Sequence, residues 1–221
     1  MTDLFFDLDG TLIDSAEGIM RAYAYMMDAL HMPYENYTAF RRVVGPPLYG
    51  CFREDGIPDA LCDKALALFQ EYYARQGVLE NDVYQGIPDA LSSLKAEGIR
   101  LYVATAKPEL FAVKILDRLA LSSFFTDVIG ADMEEKTHEK SELLSMLFAR
   151  NRLAPHGEMA MIGDRSYDII GAHRAGIRAF GVLWGIGSEE ELTEAGADLL
   201  LSTPASLHHL LRKESIWQKR L

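Results

Sequence analysis

Cysteine is scarce in this sequence, with Cys51 and Cys62 the only two in 221 residues. Two thiols cannot build a disulfide framework, so reduced thiols and a cytoplasmic location are expected. Basic charge is short as well: 22 Lys and Arg stand against 33 Asp and Glu, a formal net charge of −11. A sequence-independent nucleic-acid binder needs a basic face, so a nucleic-acid polymer is excluded as a partner. No apolar run reaches the ~20 residues that a membrane-spanning helix requires, and a membrane is excluded too. The N-terminus does not read as a signal peptide, because Asp3 and Asp7 interrupt its apolar stretch. Low-complexity segments and repeats are missing. What is present is an ordinary globular composition, 49% hydrophobic and 25% charged, expected to be a monomer or a homodimer.

The chain is organised around its first fifteen residues. Leu4, Phe5 and Phe6 form a short apolar run followed by Asp7-Leu8-Asp9-Gly10-Thr11-Leu12. Such a run, bounded by glycine, reads as a strand buried on both faces. Two carboxylates two residues apart at its end repel each other and resist desolvation unless something offsets both effects. A hard divalent cation such as Mg²⁺, which prefers oxygen ligands, would do so. Asp7 is therefore a candidate nucleophile toward a phosphoryl group and Asp9 a candidate general acid and base. A strongly acidic chain taking an anionic substrate also needs local cations to reverse the field.

Apolar positions recur at three- and four-residue steps from Ser15 to about Leu30, giving a helix. Glu35 to Val43 and Asp59 to about Gln76 are two more, the last with Leu61, Ala65, Leu68 and Tyr72 on one face. Strand pattern stops at Leu12 and resumes near Ile99, so a helical insertion interrupts the sheet. The division is 1–15 and 82–221 for an α/β core, and 16–81 for the insertion. Beyond it, strands are expected over 99–105, 127–130, 159–164, 179–184 and 198–201. Helices begin at Pro88, Pro108, His138 and Ser166, the second turning Leu110, Val113 and Leu116 inward, and Pro204 to about Lys219 closes the chain. Strands alternating with helices predict a doubly wound parallel sheet, whose ligands bind beyond the carboxyl ends of the strands. Asp7, Thr105 and Asp164 all stand at such ends and are expected to converge. The Thr105 hydroxyl and the Ala106 amide, close to a helix start, suit a phosphate oxygen. Lys107 is expected on the surface beside them.

Asp7-Leu8-Asp9-Gly10-Thr11-Leu12 resembles the first motif of the haloacid dehalogenase superfamily. Ile162-Gly163-Asp164-Arg165-Ser166-Tyr167-Asp168 resembles its fourth motif, Gly-Asp-x-x-x-Asp. Thr105 stands in the place of the second motif. Lys140 fits the third, favoured over its rival Lys136 because the family's lysine commonly follows a Thr-His pair such as Thr137-His138. The resemblance implies a Rossmann-like core with a helical cap, and a Mg²⁺-dependent phosphatase acting on small phosphate esters through an aspartyl-phosphate. It implies Asp7 as nucleophile, Asp9 as proton shuttle, and Thr105, Ala106 and Lys140 as phosphate ligands. The cation would be held by Asp7, Asp9 (through its carbonyl) and Asp164, with Asp168 behind them.

The position of the helical insertion resembles the family's cap, and the Gly45-Pro46-Pro47-Leu48 turn resembles one in phosphoglycolate-phosphatase-like members. Arg41, Arg42, Gly45 and Pro46 are accordingly expected to set substrate specificity. A 5′-nucleotidase and a sugar phosphomutase of the same fold are the alternatives. A receiver-like phospho-switch pairs acidic residues with Thr and Lys on a similar sheet, but the large insertion and the Asp-x-Asp spacing argue against it. Haloacid dehalogenation is disfavoured because Asp9 would have no task there.

Overall fold

A computed structural model describes residues 1–134 and 139–211, with backbone alone at 209 and 211. Six strands form one parallel sheet: β1 (Asp3–Phe6), β4 (Arg100–Pro108), β5 (Asp127–Ala131), β6 (Met159–Gly163), β7 (Arg178–Val182) and β8 (Leu199–Leu201). Their spatial order is β5-β4-β1-β6-β7-β8. From β1 the chain winds outward through β4 and β5, then returns to β6 and runs the other way. The reversal places a crevice at the carboxyl end of β1, the middle of the sheet.

Alternation of side chains across the strands explains the layers. Leu4 and Phe6 face one side with Leu101 and Val103, while Phe5 faces the other with Tyr102 and Ala104. Helices α6 (Lys140–Asn151) and α7 (Ser166–Arg174) cover the Phe5 side. Helices α4 (Ile87–Ala96) and α5 (Glu109–Arg118) cover the Leu4 side. That second core continues without a break into α1 (Ala16–Ala29), the 3₁₀ turn Tyr37–Val43, α2 (Leu48–Glu54) and α3 (Asp59–Arg75). A short helix, α8 (Glu189–Glu194), follows β7, and a 3₁₀ stretch, Pro204–Leu211, ends the described chain.

The helical segment leaves and rejoins the sheet through a pair that the strand pattern does not reveal. Strands β2 (Ile13–Asp14) and β3 (Asp82–Val83) are antiparallel, with Ile13 opposite Val83, so the two crossings are tied to each other. Two-residue strands carry no readable period.

Other expectations shift as well. β4 does not end at Thr105 but runs on to Pro108, with a register irregularity between the two. The 35–43 helix is a 3₁₀ turn preceded by Asn36, whose side chain accepts from Ala39 N. Helix α2 follows Pro47 where only a turn was expected. α5 turns Phe111, Ala112, Ile115 and Leu116 inward and leaves Leu110 and Val113 exposed. α3 likewise buries Cys62, Ala65, Leu66, Phe69 and Tyr73 and leaves Leu61 largely exposed. The buried stripes share Leu116 in α5 and Ala65 in α3 with the expected ones and otherwise lie one residue away, carrying Phe111 in α5 and Phe69 and Tyr73 in α3. Lys136, Thr137 and His138, and the chain beyond 211, lie outside the described residues.

Candidate active site

Asp7 follows β1 directly, its N–H donating to Ile162 O of β6 at 2.9 Å. Gly10, at φ +76°, turns the chain there, and Ile13 N closes the turn on Leu8 O at 3.1 Å. A Cβ on Gly10 would collide with the Asp164 carboxylate, so glycine is demanded both by the backbone and by that neighbour. Asp164, directly after β6, is fully buried. Its Oδ1 accepts from Thr11 Oγ1 at 3.2 Å and its Oδ2 from Ile186 N at 2.8 Å.

Carboxylate oxygens of Asp7, Asp164 and Asp168 lie within 4.8 Å of one another, all buried. Lys140, the first residue of α6, reaches them: its Nζ is 3.1 Å from Asp7 Oδ1 and 2.9 Å from Asp168 Oδ1, and it donates to Ala104 O at 2.8 Å. A Cβ on Gly171 would strike Lys140 Cβ, so that glycine sets how closely α7 approaches α6. Asp168 Oδ2 accepts from Arg165 N at 3.1 Å, which fixes the carboxylate as well as the start of α7.

Burial pushes the Asp7 carboxyl up to about 7; Lys140 opposes the shift, and Asp168 and Asp9 add to it. Burial likewise lifts Asp164 to about 6, aided by the charge of Asp7. Burial works against the Lys140 ammonium, but Asp168 and Asp7 outweigh it and hold the lysine charged. When all three are ionised, these buried carboxylates outnumber the one ammonium that touches two of them, an excess of two negative charges. Clustered oxygen donors with that excess fit a divalent cation of the Mg²⁺ type.

Asp9 is held apart from this cluster. Its Oδ2 lies 3.0 Å from Lys107 Nζ, and Lys107 also donates to the Tyr73 hydroxyl at 2.8 Å. Lys107 is therefore not a surface residue: it is 8% exposed, enclosed between Asp9 on the sheet side and Tyr73 on α3. Burial opposes its charge, but Asp9 and Tyr73 raise its pKa on balance. Its own N–H donates to Thr105 Oγ1 at 3.2 Å, which turns Thr105 and Lys107 into one local structure. Tyr73 sits 34 positions away in the chain, so nothing around Ala106-Lys107-Pro108 announces the contact.

A cavity opens above Asp7, Asp9, Thr105, Ala106 and Lys107, holding about 620 Å³ of empty space, partly open to solvent. Gly45 and Pro46 are among the residues that line it. Arg41 and Arg42 are not brought there. Arg42 pairs with Asp55 and, at 3.7 Å, with Glu54. Arg41 lines a separate surface depression with Asp14, Glu17 and Glu80. Both point away because Val43, between them and the turn, takes the inward position. The loop that follows β7 closes over Asp164. Trp184 Nε1 donates to Thr11 O at 3.0 Å, and a Cβ on Gly185 would collide with Asp164.

Residues 4–182 match the family described as haloacid dehalogenase-like hydrolase. The chain is 37% identical to a 5′-nucleotidase of Pseudomonas aeruginosa over 191 residues, 86% of each chain. It is 30% identical to phosphoglycolate phosphatase 1 of the same organism, over 90% of this chain and 75% of that one. A crystal structure described as a predicted phosphatase from Clostridium acetobutylicum superposes with a TM-score of 0.89 at 35% identity, covering 95% of this chain and 97% of that one.

Proposed function

The chain belongs to the haloacid dehalogenase-like hydrolase family, and from that premise we propose that it is a Mg²⁺-dependent phosphatase hydrolysing small phosphate monoesters through an aspartyl-phosphate on Asp7. One observation carries the reading: Asp7, at the floor of the cavity, has its carboxylate within reach of those of Asp164 and Asp168 and of the Lys140 ammonium. Residues 16–81 act as a cap over that cavity.

In the proposed cycle, a carboxylate oxygen of Asp7 attacks phosphorus and the bond from phosphorus to the ester oxygen breaks. Asp9 gives its proton to that departing oxygen. Water then attacks phosphorus, Asp9 takes the proton, and the Asp7 carboxylate leaves, freeing phosphate. The Thr105 hydroxyl, the Ala106 amide and the Lys140 ammonium bind the phosphoryl oxygens. Asp168 aims the lysine, accepting its charge at 2.9 Å. Bound Mg²⁺, held by Asp7, Asp164 and the Asp9 carbonyl with Asp168 behind, would offset the charge of the phosphoryl group.

Lys107 acts through Asp9. It stabilises the carboxylate that remains once the proton has gone to the leaving oxygen, and it fixes the direction of Oδ2. Lys107→Met should lower kcat by about 10- to 100-fold, part of what general acid–base catalysis supplies, with little change in KM. Steady-state kinetics across pH checks this. An unchanged kcat and pH profile removes the role.

The reading is tested by phosphate release from a panel of small phosphate esters, with Mg²⁺ and with excess chelator. Release is expected with the metal and should fall to background with chelator, returning when Mg²⁺ is restored. Equal release in both conditions, or none in either, overturns it. A 5′-nucleotidase activity is the second reading, supported by the relative that carries that name.

A further inference from the structure

The wall opposite Asp7 says what kind of alcohol this site is built to release. Resting on the phosphatase reading above, we propose that the leaving group is an uncharged organic group carrying an aromatic ring, and not a carboxylate-bearing one such as glycolate. The wall above the phosphoryl position is apolar: Ile19 from α1, Val43 and Leu48 flanking the Gly45–Pro47 turn, Phe69 from α3 and Phe111 from α5. Phe69 stacks on Tyr73 with ring centroids 5.7 Å apart and planes 7° from parallel, and Tyr73 meets Phe111 edge-on at 5.4 Å. A flat aromatic group finds offset and edge-on partners in such a cluster.

Charge points the same way. Among the described residues lining the cavity, Lys107 is the cation, and its ammonium already faces the Asp9 carboxylate and the Tyr73 hydroxyl. The two arginines of the neighbouring segment are elsewhere, Arg42 on Asp55 and Arg41 in an acidic depression. Gln70 has its amide N–H turned to Met133 O at 2.6 Å. A carboxylate on the leaving group would lie against aliphatic and aromatic carbon, close to Asp7 and Asp9, with no counter-charge to replace its water.

The experiment compares phosphate release from benzyl phosphate, 2-phosphoglycolate and thymidine 5′-monophosphate by the full chain with Mg²⁺. All three esters release a primary alcohol, so the ranking reports on the wall rather than on leaving-group chemistry. The expected kcat/KM for benzyl phosphate exceeds that for 2-phosphoglycolate by at least about tenfold. If the nucleotide surpasses benzyl phosphate, the ring is a base carried on a sugar. If it falls between the other two, a simple aryl group fits better. Phosphoglycolate turned over as well as or better than benzyl phosphate overturns the proposal and leaves the phosphatase reading standing. No release from any of the three overturns the phosphatase reading and the proposal with it.

Two substitutions test the wall itself. Leu48→Lys should move the benzyl-to-glycolate ratio toward phosphoglycolate by roughly tenfold. Phe69→Leu keeps an apolar side chain but removes the ring, and should reduce the benzyl preference even if the lysine variant fails to fold. A ratio that stays at the parental value in folded Phe69→Leu overturns the proposal.

Discussion

Asp7→Asn should abolish turnover, lowering kcat by about four orders of magnitude or more, while leaving the fold intact. The amide has nearly the shape of the carboxylate. Its oxygen can still accept from Leu8 N, now 2.7 Å from Oδ1, and from Lys140 Nζ at 3.1 Å. The variant therefore loses the nucleophilic oxygen and one negative charge, not its place in the turn. Burial and the charges of Asp168 and Asp9 already push the Asp7 carboxyl up to about 7, so a charge at this position is disfavoured without a cation. Thermal unfolding with chelator present should show the Asn variant at least as stable as the parent. Parent protein quenched in acid during turnover should carry a hydroxylamine-sensitive phosphoryl adduct on Asp7, and the variant none. Activity within about tenfold of the parent would remove Asp7 as the nucleophile.

Much of the layout that brings these groups together is written locally. Phe5-Phe6 before Asp7 and Met161-Ile162 before Asp164 are apolar runs of strand length that end in charge. In a parallel sheet only the strand ends reach solvent, so charges there fall at its mouth. Lys140 carries a second local signal. A cation at the first residue of a helix opposes the helix dipole, and here the lysine points across to Ala104 O and two carboxylates rather than to water. The six-stranded parallel sheet and the helical insertion follow from period and from strand–helix alternation.

What was not legible depends on separation in the chain or on shortness. Lys107 reads as surface because Ala106 and Pro108 carry no pattern, and the groups that bury it are Asp9 and Tyr73, brought in by folding. Trp184 closes on Thr11 O from 173 positions away and Ile186 N closes on Asp164 from 22, contacts from an apolar stretch that has no sequence mark. Arg41 and Arg42 were expected at the site because they adjoin the Gly45–Pro47 turn in the cap-like insertion, yet the side chain that turns inward is the neutral Val43. A 3₁₀ turn has three residues per turn rather than 3.6, so an α-helical period misplaces its faces.

Lys140→Met should cause the largest loss of stability of any single change at the site, together with a loss of activity of two or more orders of magnitude. Lys140 is 3% exposed, and its ammonium is the cation that touches both Asp7 and Asp168. Methionine fills most of the lysine stem's volume, so packing against Gly171 survives and the effect is electrostatic. Breaking a buried ion pair by removing one partner costs about 3–5 kcal/mol, because the other charge stays buried and unpaired. For a chain of this size that is a fall in melting temperature of about 6–20 °C, measured without Mg²⁺. The double variant Lys140→Met/Asp168→Asn separates the two roles of the lysine. Removing one stranded carboxylate should restore much of the lost melting temperature, a non-additivity expected of residues in direct contact. It should restore none of the activity, because the ammonium that binds the phosphoryl oxygens beside Asp7 is still missing. Recovery of both would mean that Lys140 serves only to keep Asp168 buried. A single variant that melts with the parent would mean that the carboxylates already share a proton and do not need the lysine's charge.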